Sequence, residues 1–562
     1  MPRWLAAAPG ITIALLLVPV CAGVLSALLP ALGYFPAFGG DALSLGPFSA
    51  LFTAPGIWRS IALSAASGLA SALIAVALTF LLLASAWDTP ALARVRRFVA
   101  PLLSVPHAAA AIGLAFLVAP SGFLFRLVSP FPSGLERPPD LLIINDPFGL
   151  AMIAGLVAKE MPFLLLMAFA ALPALNSARR RMLMTSLGYS RSQGFFIGVA
   201  PELYRLIRLP VFAVIAYASS SAEIALILGP TTPSPLPIRI LQWSSDPDLG
   251  MRFVAAAGAV VQIALTLSLL GIWIALEKVA GSVWRIRAMS GRRAKNDSYL
   301  RTVHLGLAML PMVAVGLGLA LLAVWSFAGR WRFPDAWPAT WSFQTWSRVA
   351  PDALELVGTT ALVAVIPTFV SLVLIIACLE VEQATGRSGG NRSLLIVYIP
   401  LLVPQVSFLF GLQFISVLFR LDGLVVSVMV VHLIFILPYM FLSLADPYRR
   451  FDSRYLYVGA GLGMSYWHQL FSIRLPMMVA PILTAIAIGI AVSIGQYLPT
   501  LLIGAGRVPT LTTEAVALAA GGDRRTLAVA ATLQALLPFV AFWLAVGIPA
   551  HLARRRQGMQ AV

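Results

Sequence analysis

The sequence predicts an all-α polytopic membrane protein with about twelve transmembrane helices, arranged as two homologous six-helix halves. The first observation is composition, because 60% of the 562 residues are hydrophobic and only 11% are charged, whereas a soluble protein carries about 25% charged residues. The second is that apolar runs of roughly 20 residues, enough for one spanning helix, recur from end to end. The runs are continuous rather than alternating, which argues against a membrane β-barrel.

Twelve apolar runs are the candidate spans. They lie at about 11–32, 60–85, 98–120, 148–175, 209–229, 253–277, 303–328, 356–379, 394–418, 424–445, 477–503 and 526–550. The first run has no small-residue cleavage site, so we interpret it as a helix rather than a signal peptide. Cys21 and Cys378 lie inside apolar runs, and neither a disulfide framework nor a cysteine metal site is predicted.

The basic residues predict the orientation. With both termini inside, the inner segments hold 26 of the 39 Lys and Arg residues and the outer loops hold 12. Lys and Arg favour cytoplasmic loops of an inner membrane protein. We therefore expect a multi-pass protein of the bacterial inner membrane with both termini in the cytoplasm. The excess of positive charge reports topology and does not indicate nucleic-acid binding.

The chain contains an internal repeat with a period of about half its length. Segments Leu187–Ser190 and Leu462–Ser465 match at an offset of 275 residues. The same offset relates Gly188 to Gly463, Phe196 to Phe471, Pro201 to Pro476, and Leu228-Gly229 to Ile503-Gly504. Val105-Pro106 and Gly113 match Val403-Pro404 and Gly411 at an offset of 298, and Met161–Phe163 resembles Leu437–Tyr439 at 276. Ordered matches along six spans predict two halves of the same orientation, related by a parallel pseudo-twofold axis.

The repeat defines the predicted domains. We expect a first unit at 1–280, a basic cytoplasmic linker at 281–302 and a second unit at 303–562. In each half the segment from the repeated glycine to the repeated proline lies in a cytoplasmic loop between the fourth and fifth spans. A glycine that accepts a positive φ allows a sharp turn between two short helices. Proline would stop the cytoplasmic helix before the next span begins.

The second of these loops has a distinctive spacing, in which Gly463 is followed by nine residues and then by Ile473-Arg474-Leu475-Pro476. It resembles the signature loop of type I binding-protein-dependent ABC importer permeases, which reads Glu-Ala-Ala, three residues, Gly, nine residues, Ile, one residue, Leu-Pro. With two permease units fused in one chain, the sequence resembles the thiamine-type and ferric-iron-type members of this family. The Glu-Ala-Ala positions are departures, with Tyr457–Gly459 in the second half and Met182–Met184 in the first. The first half also has Gly198 at the Ile position and Ala200-Pro201 in place of Leu-Pro.

The resemblance implies a permease subunit of an ATP-driven importer that forms the translocation pathway. It also implies two copies of a separate ATP-binding subunit and a periplasmic or extracellular substrate-binding protein. The implied ATPase-coupling residues are Gly188, Phe196, Pro201, Gly463, Phe471, Ile473, Leu475 and Pro476. The sequence has no Gly-x-x-x-x-Gly-Lys-[Ser/Thr] loop, so we expect ATP hydrolysis in a partner and no enzyme activity, cofactor or metal here.

Polar residues inside the spans are the candidates for the translocation path. Ionisable groups in a membrane are costly and usually face a cavity or a partner. We assign Glu223, Gln496, Lys159 and Glu160 to this set. The alternative is interhelical hydrogen bonding or, for Lys159, a side chain that extends to the membrane interface. His432 is expected to be structural rather than a ligand.

A secondary transporter of the twelve-span, two-half kind is the alternative function. Similarity between the halves concentrates in the loop after the fourth span, whereas facilitators carry their marked basic loops between the second and third spans. An integral-membrane enzyme would need a cluster of His, Asp or Glu on one face, and five scattered His residues do not provide one. The substrate is not readable, and thiamine, ferric iron and polyamine-like cargo stay open.

Overall fold

The computed structural model describes residues 3–36, 39–293, 296–386 and 390–554. In these ranges the regular structure is helical, apart from two isolated β-bridges. The prediction of an all-α protein is confirmed. Residues 294–295 of the predicted linker, Arg387 and the basic residues 555–556 lie outside the described residues.

The helices of the first half have the following bounds: α1 Ala8–Ala31, α2 Gly46–Thr53, α3 Ile57–Ala86, α4 Pro90–Ser104, α5 His107–Val118, α6 Phe123–Leu127, α7 Leu150–Ala171, α8 Ser177–Ser186, α9 Arg191–Gly198, α10 Ala200–Ser220, α11 Glu223–Leu228, α12 Leu236–Ser244 and α13 Met251–Met289. Those of the second half are α14 Ser298–Ser326, α15 Gln344–Thr385, α16 Gly390–Leu402, α17 Gln405–Leu418, α18 Val425–Arg449, α19 Arg454–Gly461, α20 Tyr466–Gln469, α21 Leu475–Met477, α22 Val479–Ile494, α23 Leu498–Gly504, α24 Leu511–Ala519 and α25 Arg524–Arg554. A π-helical turn, Leu470–Arg474, joins α20 to α21.

Ten of the described helices are long and apolar enough to cross a membrane, or twelve if each of two bent pairs counts as one span. The bent pairs are 394–402 with 405–418, at 84°, and 466–477 with 479–494, at 77°. These elements follow the twelve predicted spans in order, which confirms a polytopic membrane protein. Unpacked helix sides expose apolar residues such as Val18, Leu25 and Phe369, as lipid contact requires.

Four of the predicted spans are interrupted, which the sequence analysis did not predict. The spans at 98–120 and 394–418 break at Val105-Pro106 and Val403-Pro404. Proline disfavours a helical conformation in the residue before it and has no N–H to donate. The spans at 209–229 and 477–503 break after Ser220 and Ile494, before α11 and α23. Because the breaks occur at matching places in both halves, they belong to the repeat.

A second pair of matching helices, which the sequence analysis did not predict, lies in the loops after the fifth span of each half. The helices α12 and α24 begin at Leu236 and Leu511, which are 275 residues apart. The Leu236 N–H donates to Ser64 Oγ at 3.0 Å, and the Leu511 N–H donates to Thr360 Oγ1 at 3.0 Å. Each helix therefore has its start held by a hydroxyl from the second span of its own half.

The first helix of each half packs against the other half. Helix α1 packs on α17, and α14 packs on α5. A Cβ added at Gly113 would lie 2.8 Å from the backbone of Gly318, and Gly23 approaches Gly411 in the same way. Small residues allow helix backbones to approach closely in a membrane. The halves therefore share one intertwined core, and the two largest buried apolar clusters each include residues of both halves. The domain boundaries stay a prediction.

Candidate translocation cavity and coupling loops

A cavity of about 690 Å³ lies between the two halves. Its lining comes from α4, α5, α7, α10 and α11 of the first half and from α16, α17, α18, α22 and α25 of the second. The lining follows α18 from Phe435, at mid-helix, to Arg450, just past its last residue. There the side chains of Asp446 and Arg450 are 63% and 69% exposed. The cavity thus extends from the middle of the helix bundle to the end of α18, next to the loop that contains Gly463. We name the segments Met182–Pro201 and Tyr457–Pro476 the coupling loops, after their predicted role.

The four polar residues predicted for the path all line this cavity: Glu223, Gln496, Lys159 and Glu160. Glu223 is the first residue of α11, and Gln496 lies in the break between α22 and α23. At the 275-residue offset Glu223 corresponds to Leu498, and Gln496 corresponds to Ser221. The two residues therefore occupy neighbouring rather than identical positions at equivalent helix breaks. Their part in transport stays a prediction.

Two carboxylates lie close to a histidine at the deep end of the cavity, in the middle of the helix bundle. We call this end the inner end of the cavity. Glu223 Oε1 accepts a hydrogen bond from the Tyr217 hydroxyl at 2.8 Å. His107 Nδ1 lies 3.9 Å from Glu223 Oε1, and its Nε2 lies 3.7 Å from Glu160 Oε1. The Glu160 side chain is 7% exposed. In the described part of the chain, the Glu160 carboxylate accepts no hydrogen bond. We name Glu160, Glu223, His107 and Tyr217 the inner cluster.

Lys159 is turned away from the inner cluster toward the backbone. Its Nζ donates to the carbonyl oxygens of Val105 at 2.5 Å and Leu102 at 3.3 Å. These carbonyls belong to the last turn of α4 and to the residue before Pro106, and the helix break leaves the Val105 oxygen without a partner further along the chain. A buried ammonium group supplies the missing donors. Lys159 therefore stabilises the break that places His107 at the start of α5.

The sequence analysis missed several lining residues that the repeat could have identified. His107 directly follows Val105-Pro106, and Gln405 directly follows Val403-Pro404, so they are equivalent at the offset of 298. Both line the cavity. Phe163 and Tyr439, equivalent at 276, form an edge-to-face pair across the halves with ring centroids 6.1 Å apart. A comparison of the residues next to each repeated motif in the two halves would have identified both pairs.

His432 is buried and fully hydrogen bonded. Its Nδ1 lies 2.8 Å from Ser493 Oγ and its Nε2 lies 3.0 Å from Thr500 Oγ1. These contacts tie α18 to α22 and α23 across the break that contains Gln496. No group of three or more His, Cys, Asp or Glu residues in the described ranges could hold a metal ion.

The coupling loops have the same turn in both halves. Gly188 and Gly463 adopt φ values of +80° and +78°. In each turn the residue after the glycine donates its N–H to a carbonyl five residues earlier, Tyr189 to Met184 and Met464 to Gly459, both at 3.0 Å. This arrangement caps the end of the first short helix. A residue with a Cβ would strain this backbone conformation.

The predicted role of proline was wrong in the first half. Pro201 is the second residue of α10, so it starts the next helix, and the break lies at Val199. Proline fits the first turn of a helix because its missing N–H would have no partner there. In the second half the helical segment 466–477 ends one residue after Pro476, and the chain bends at Met478 before the next span begins.

Exposed apolar side chains occupy equivalent positions on the two loops. Met182, Leu183 and Leu187 are 68%, 54% and 43% exposed. Their equivalents at the 275-residue offset, Tyr457, Val458 and Leu462, are 72%, 64% and 78% exposed. We name these six residues the loop faces. Phe471 adds a 62% exposed ring stacked on Trp467, whereas Phe196 is half-buried beside Phe195.

The two arms of each loop pack together through one large and one small residue. A Cβ added at Gly459 would lie 2.8 Å from Ile473 Cδ1. A Cβ added at Gly198 would lie 2.8 Å from Met184 Cε. Met184 is equivalent to Gly459, and Gly198 is equivalent to Ile473. The same contact therefore has its large and small members exchanged between the halves, which accounts for Gly198 at the Ile position.

Each loop is held to the rest of the protein by a carboxylate. In the second half Glu380 of α15 forms an ion pair with Arg474, and both side chains are buried. Tyr448 and Tyr466 donate their hydroxyls to the same carboxylate, the latter at 2.8 Å. In the first half Asp297 of the linker accepts the Ser192 N–H at 2.8 Å.

The pKa of Asp297 reflects this contact. Partial burial raises the pKa, but the hydrogen bond from Ser192 and the positive charge of Arg301 outweigh it and lower the pKa below its usual value of 3.8.

Comparison with known proteins gives consistent relatives. Residues 383–556 match the family described as "Binding-protein-dependent transport system inner membrane component". Over 521 residues the chain is 30% identical to the inner membrane ABC transporter permease protein YnjC of Escherichia coli K12, covering 92% of this chain and 93% of that protein. It is 26% identical over 145 residues to the permease PhnV of Salmonella typhimurium, provisionally named for 2-aminoethylphosphonate transport, covering 25% of this chain and 54% of that protein. No solved structure shows significant similarity.

Proposed function

This chain belongs to the inner-membrane permeases of binding-protein-dependent ABC transporters, and we propose that its two halves together form the substrate pathway of one importer. The family assignment favours a permease subunit over the secondary-transporter alternative. The observation that carries the proposal is the cavity between the halves, whose lining includes equivalent residues from each. A pathway on the axis between two repeats is the arrangement that a pseudo-twofold transporter uses.

The loop faces are the proposed seats for separate ATP-binding subunits. Six apolar side chains project from two polar, basic loops, and their positions repeat at one offset. Exposed apolar patches of this kind mark sites of protein–protein contact. Two equivalent loop faces support two copies of the ATP-binding subunit, one per half. Each loop continues directly into a helix that lines the cavity, α10 or α22, so a displacement of the loop would reach the pathway.

The contacts of the linker support the proposed orientation. Residue Asp297 contacts the first coupling loop, so the basic linker and this loop lie on one side of the membrane. The excess of Lys and Arg on this side supports a cytoplasmic location, with an external substrate-binding protein on the opposite face. The cavity reaches the exposed pair Asp446–Arg450 near the second loop. It is therefore open toward the proposed cytoplasmic side in this conformation.

Substitutions in the loop faces test the coupling proposal. Leu187→Asp and Leu462→Asp should each weaken copurification of the ATP-binding subunit and abolish ATP-dependent uptake, because a charge would be buried in an apolar contact. Leu43→Asp is the matched control, since Leu43 is 67% exposed in the loop predicted to lie on the opposite side. Normal uptake in a protein carrying both loop substitutions would contradict the proposal.

A further inference from the structure

The inner cluster contains two carboxylates whose hydrogen-bonding capacity the surrounding residues use only in part. Glu160 and Glu223 are both buried at the cavity wall, and His107 lies 3.7 and 3.9 Å from their oxygens. These distances are longer than a hydrogen bond. An ionised carboxylate offers about four acceptor sites, and in the described residues Glu160 uses none of them. The acceptor capacity of the cluster is therefore directed into the cavity.

The charges that line the cavity separate along its length. The inner end holds Glu160, Glu223 and Lys159. The ammonium group of Lys159 is turned away from the carboxylates and bonded to the carbonyls of Leu102 and Val105. The formal charges of Glu160, Glu223 and Lys159 sum to −1. Toward the opposite end lie Arg96 and the exposed ion pair of Asp446 with Arg450, at 3.7 Å. The lining is formally neutral as a whole, and the acidic excess is confined to the inner end.

Aromatic rings complete the surroundings of the inner cluster. The Tyr217 ring lies 4.9 Å from the His107 ring, centroid to centroid. Phe163 and Tyr439 contribute a ring from each half to the same cavity. Aromatic faces attract a compact cation, and more strongly where water is excluded. Carboxylates and rings together form an environment suited to an ammonium-type group rather than an anion.

We infer that the inner cluster is a transient binding site for substrates that carry one compact positive charge, with Glu160 and Glu223 as the recognising groups. This inference rests on the proposed function, because it assigns a substrate class to that pathway. An organic monocation would balance the formal charge of the inner end and use the free acceptors of Glu160. An anionic substrate would instead face two carboxylates while the nearest cation is held by backbone carbonyls.

The charge preference of the cavity can be measured without knowing the substrate. Val492, the equivalent of Tyr217, lines the cavity from the second half. A Val492→Cys substitution in a Cys21→Ala, Cys378→Ala background gives a single reporter thiol in the full-length chain. Its reaction rate is measured with 2-(trimethylammonium)ethyl methanethiosulfonate and with the anionic 2-sulfonatoethyl reagent, and the ratio is divided by the ratio for 2-mercaptoethanol.

We expect the normalised ratio to favour the cationic reagent by about tenfold, as a partly screened unit charge would produce. Glu160→Gln and Glu223→Gln should each lower the ratio by about threefold or more, with the thiol still reactive. Asp446→Asn, at the exposed end, should leave it nearly unchanged.

A ratio at or below one, or one that neither glutamate substitution changes, would overturn the cation inference and leave the pathway proposal intact. A thiol that reacts with neither reagent would contradict the open pathway itself, and the inference with it.

Discussion

The buried ion pair Glu380–Arg474 should determine how firmly the second coupling loop is attached to the membrane helices. The two side chains are 6% and 5% exposed. Arg474 also lies over the rings of Tyr448 and Phe451, each 5.2 Å from the guanidinium carbon. Glu380→Leu would leave this guanidinium buried without its counter-charge. Removing one partner of a buried pair costs about 3–5 kcal/mol.

The magnitude of the effect distinguishes the members of this network. Tyr466→Phe removes one hydrogen bond to a charged acceptor, which contributes about 1.5–3 kcal/mol, while the ion pair stays in place. Replacing both charges, as in Glu380→Leu with Arg474→Met, should cost much less than Glu380→Leu alone, because no unpaired charge is left. The double variant still leaves the hydroxyls of Tyr448 and Tyr466 without their acceptor. We therefore expect Glu380→Leu to be the most destabilising of the three variants.

Hydrogen–deuterium exchange of the loop in lipid nanodiscs is the suitable assay, because local opening reports the free energy of this segment directly. Glu380→Leu should raise the exchange rate of protected amides near Leu470–Arg474 by about a hundredfold or more. Arg348→Ala is the control, since its pair with Asp523 is 65% and 52% exposed and contributes about 0–1 kcal/mol. Unchanged exchange in Glu380→Leu, or a double variant as exposed as the single one, would refute this reasoning.

Three further predictions address orientation, packing and the linker. Leu43→Cys, at a position that is 67% exposed in a loop predicted to lie outside, should react with an impermeant thiol reagent from the periplasm and Asn296→Cys should not; the reverse result would contradict the proposed topology. Gly113→Val should destabilise the helix bundle by about 1–3 kcal/mol through overpacking against α14. Gly271→Val is the control and should not, because the space around Gly271 is open. Equal thermal stability of the two variants would contradict close packing at Gly113. Asp297→Asn should expose the linker to trypsin at pH 7.5. Because the pKa of Asp297 is lowered, acid should loosen this contact in the unmodified protein only below about pH 3.8. Loosening near pH 6 in a fluorescence titration would indicate that another group is responsible.

The sequence was sufficient for the architecture because lipid imposes strong and simple rules. Apolar length predicts spans, and the basic residues predict a side. Helix breaks were harder to predict, because a span interrupted inside a bundle keeps its apolar composition. The break before His107 is stabilised by Lys159, which the sequence places 52 residues further along the chain. Only the folded chain shows that a lysine in one span completes the hydrogen bonds of another.

The inner cluster illustrates the same limit. Glu223 and Glu160 were identified because carboxylates are rare in apolar runs, but His107 was overlooked since it lies beside an apparently ordinary Val-Pro pair. That pair was itself one of the repeated motifs. A repeat therefore predicts more than the presence of two halves. If a residue of one half faces the axis, the residue at the matching position of the other half is predicted to face it too. Where the halves differ, as with His107 and Gln405, the difference marks the side of the cavity that carries the charge.

Departures from a family motif can also be structural compensation rather than loss of function. Gly198 replaces the expected Ile, and Met184 fills the space from the opposite arm. In the second half Ile473 is large and Gly459 is small, so the packed volume between the arms is supplied from the other side. When each position is compared with the motif separately, Met184 and Gly198 are two mismatches in the first half. Pairing the positions shows one conserved contact, and the first loop can then keep the geometry of the second without sharing its sequence.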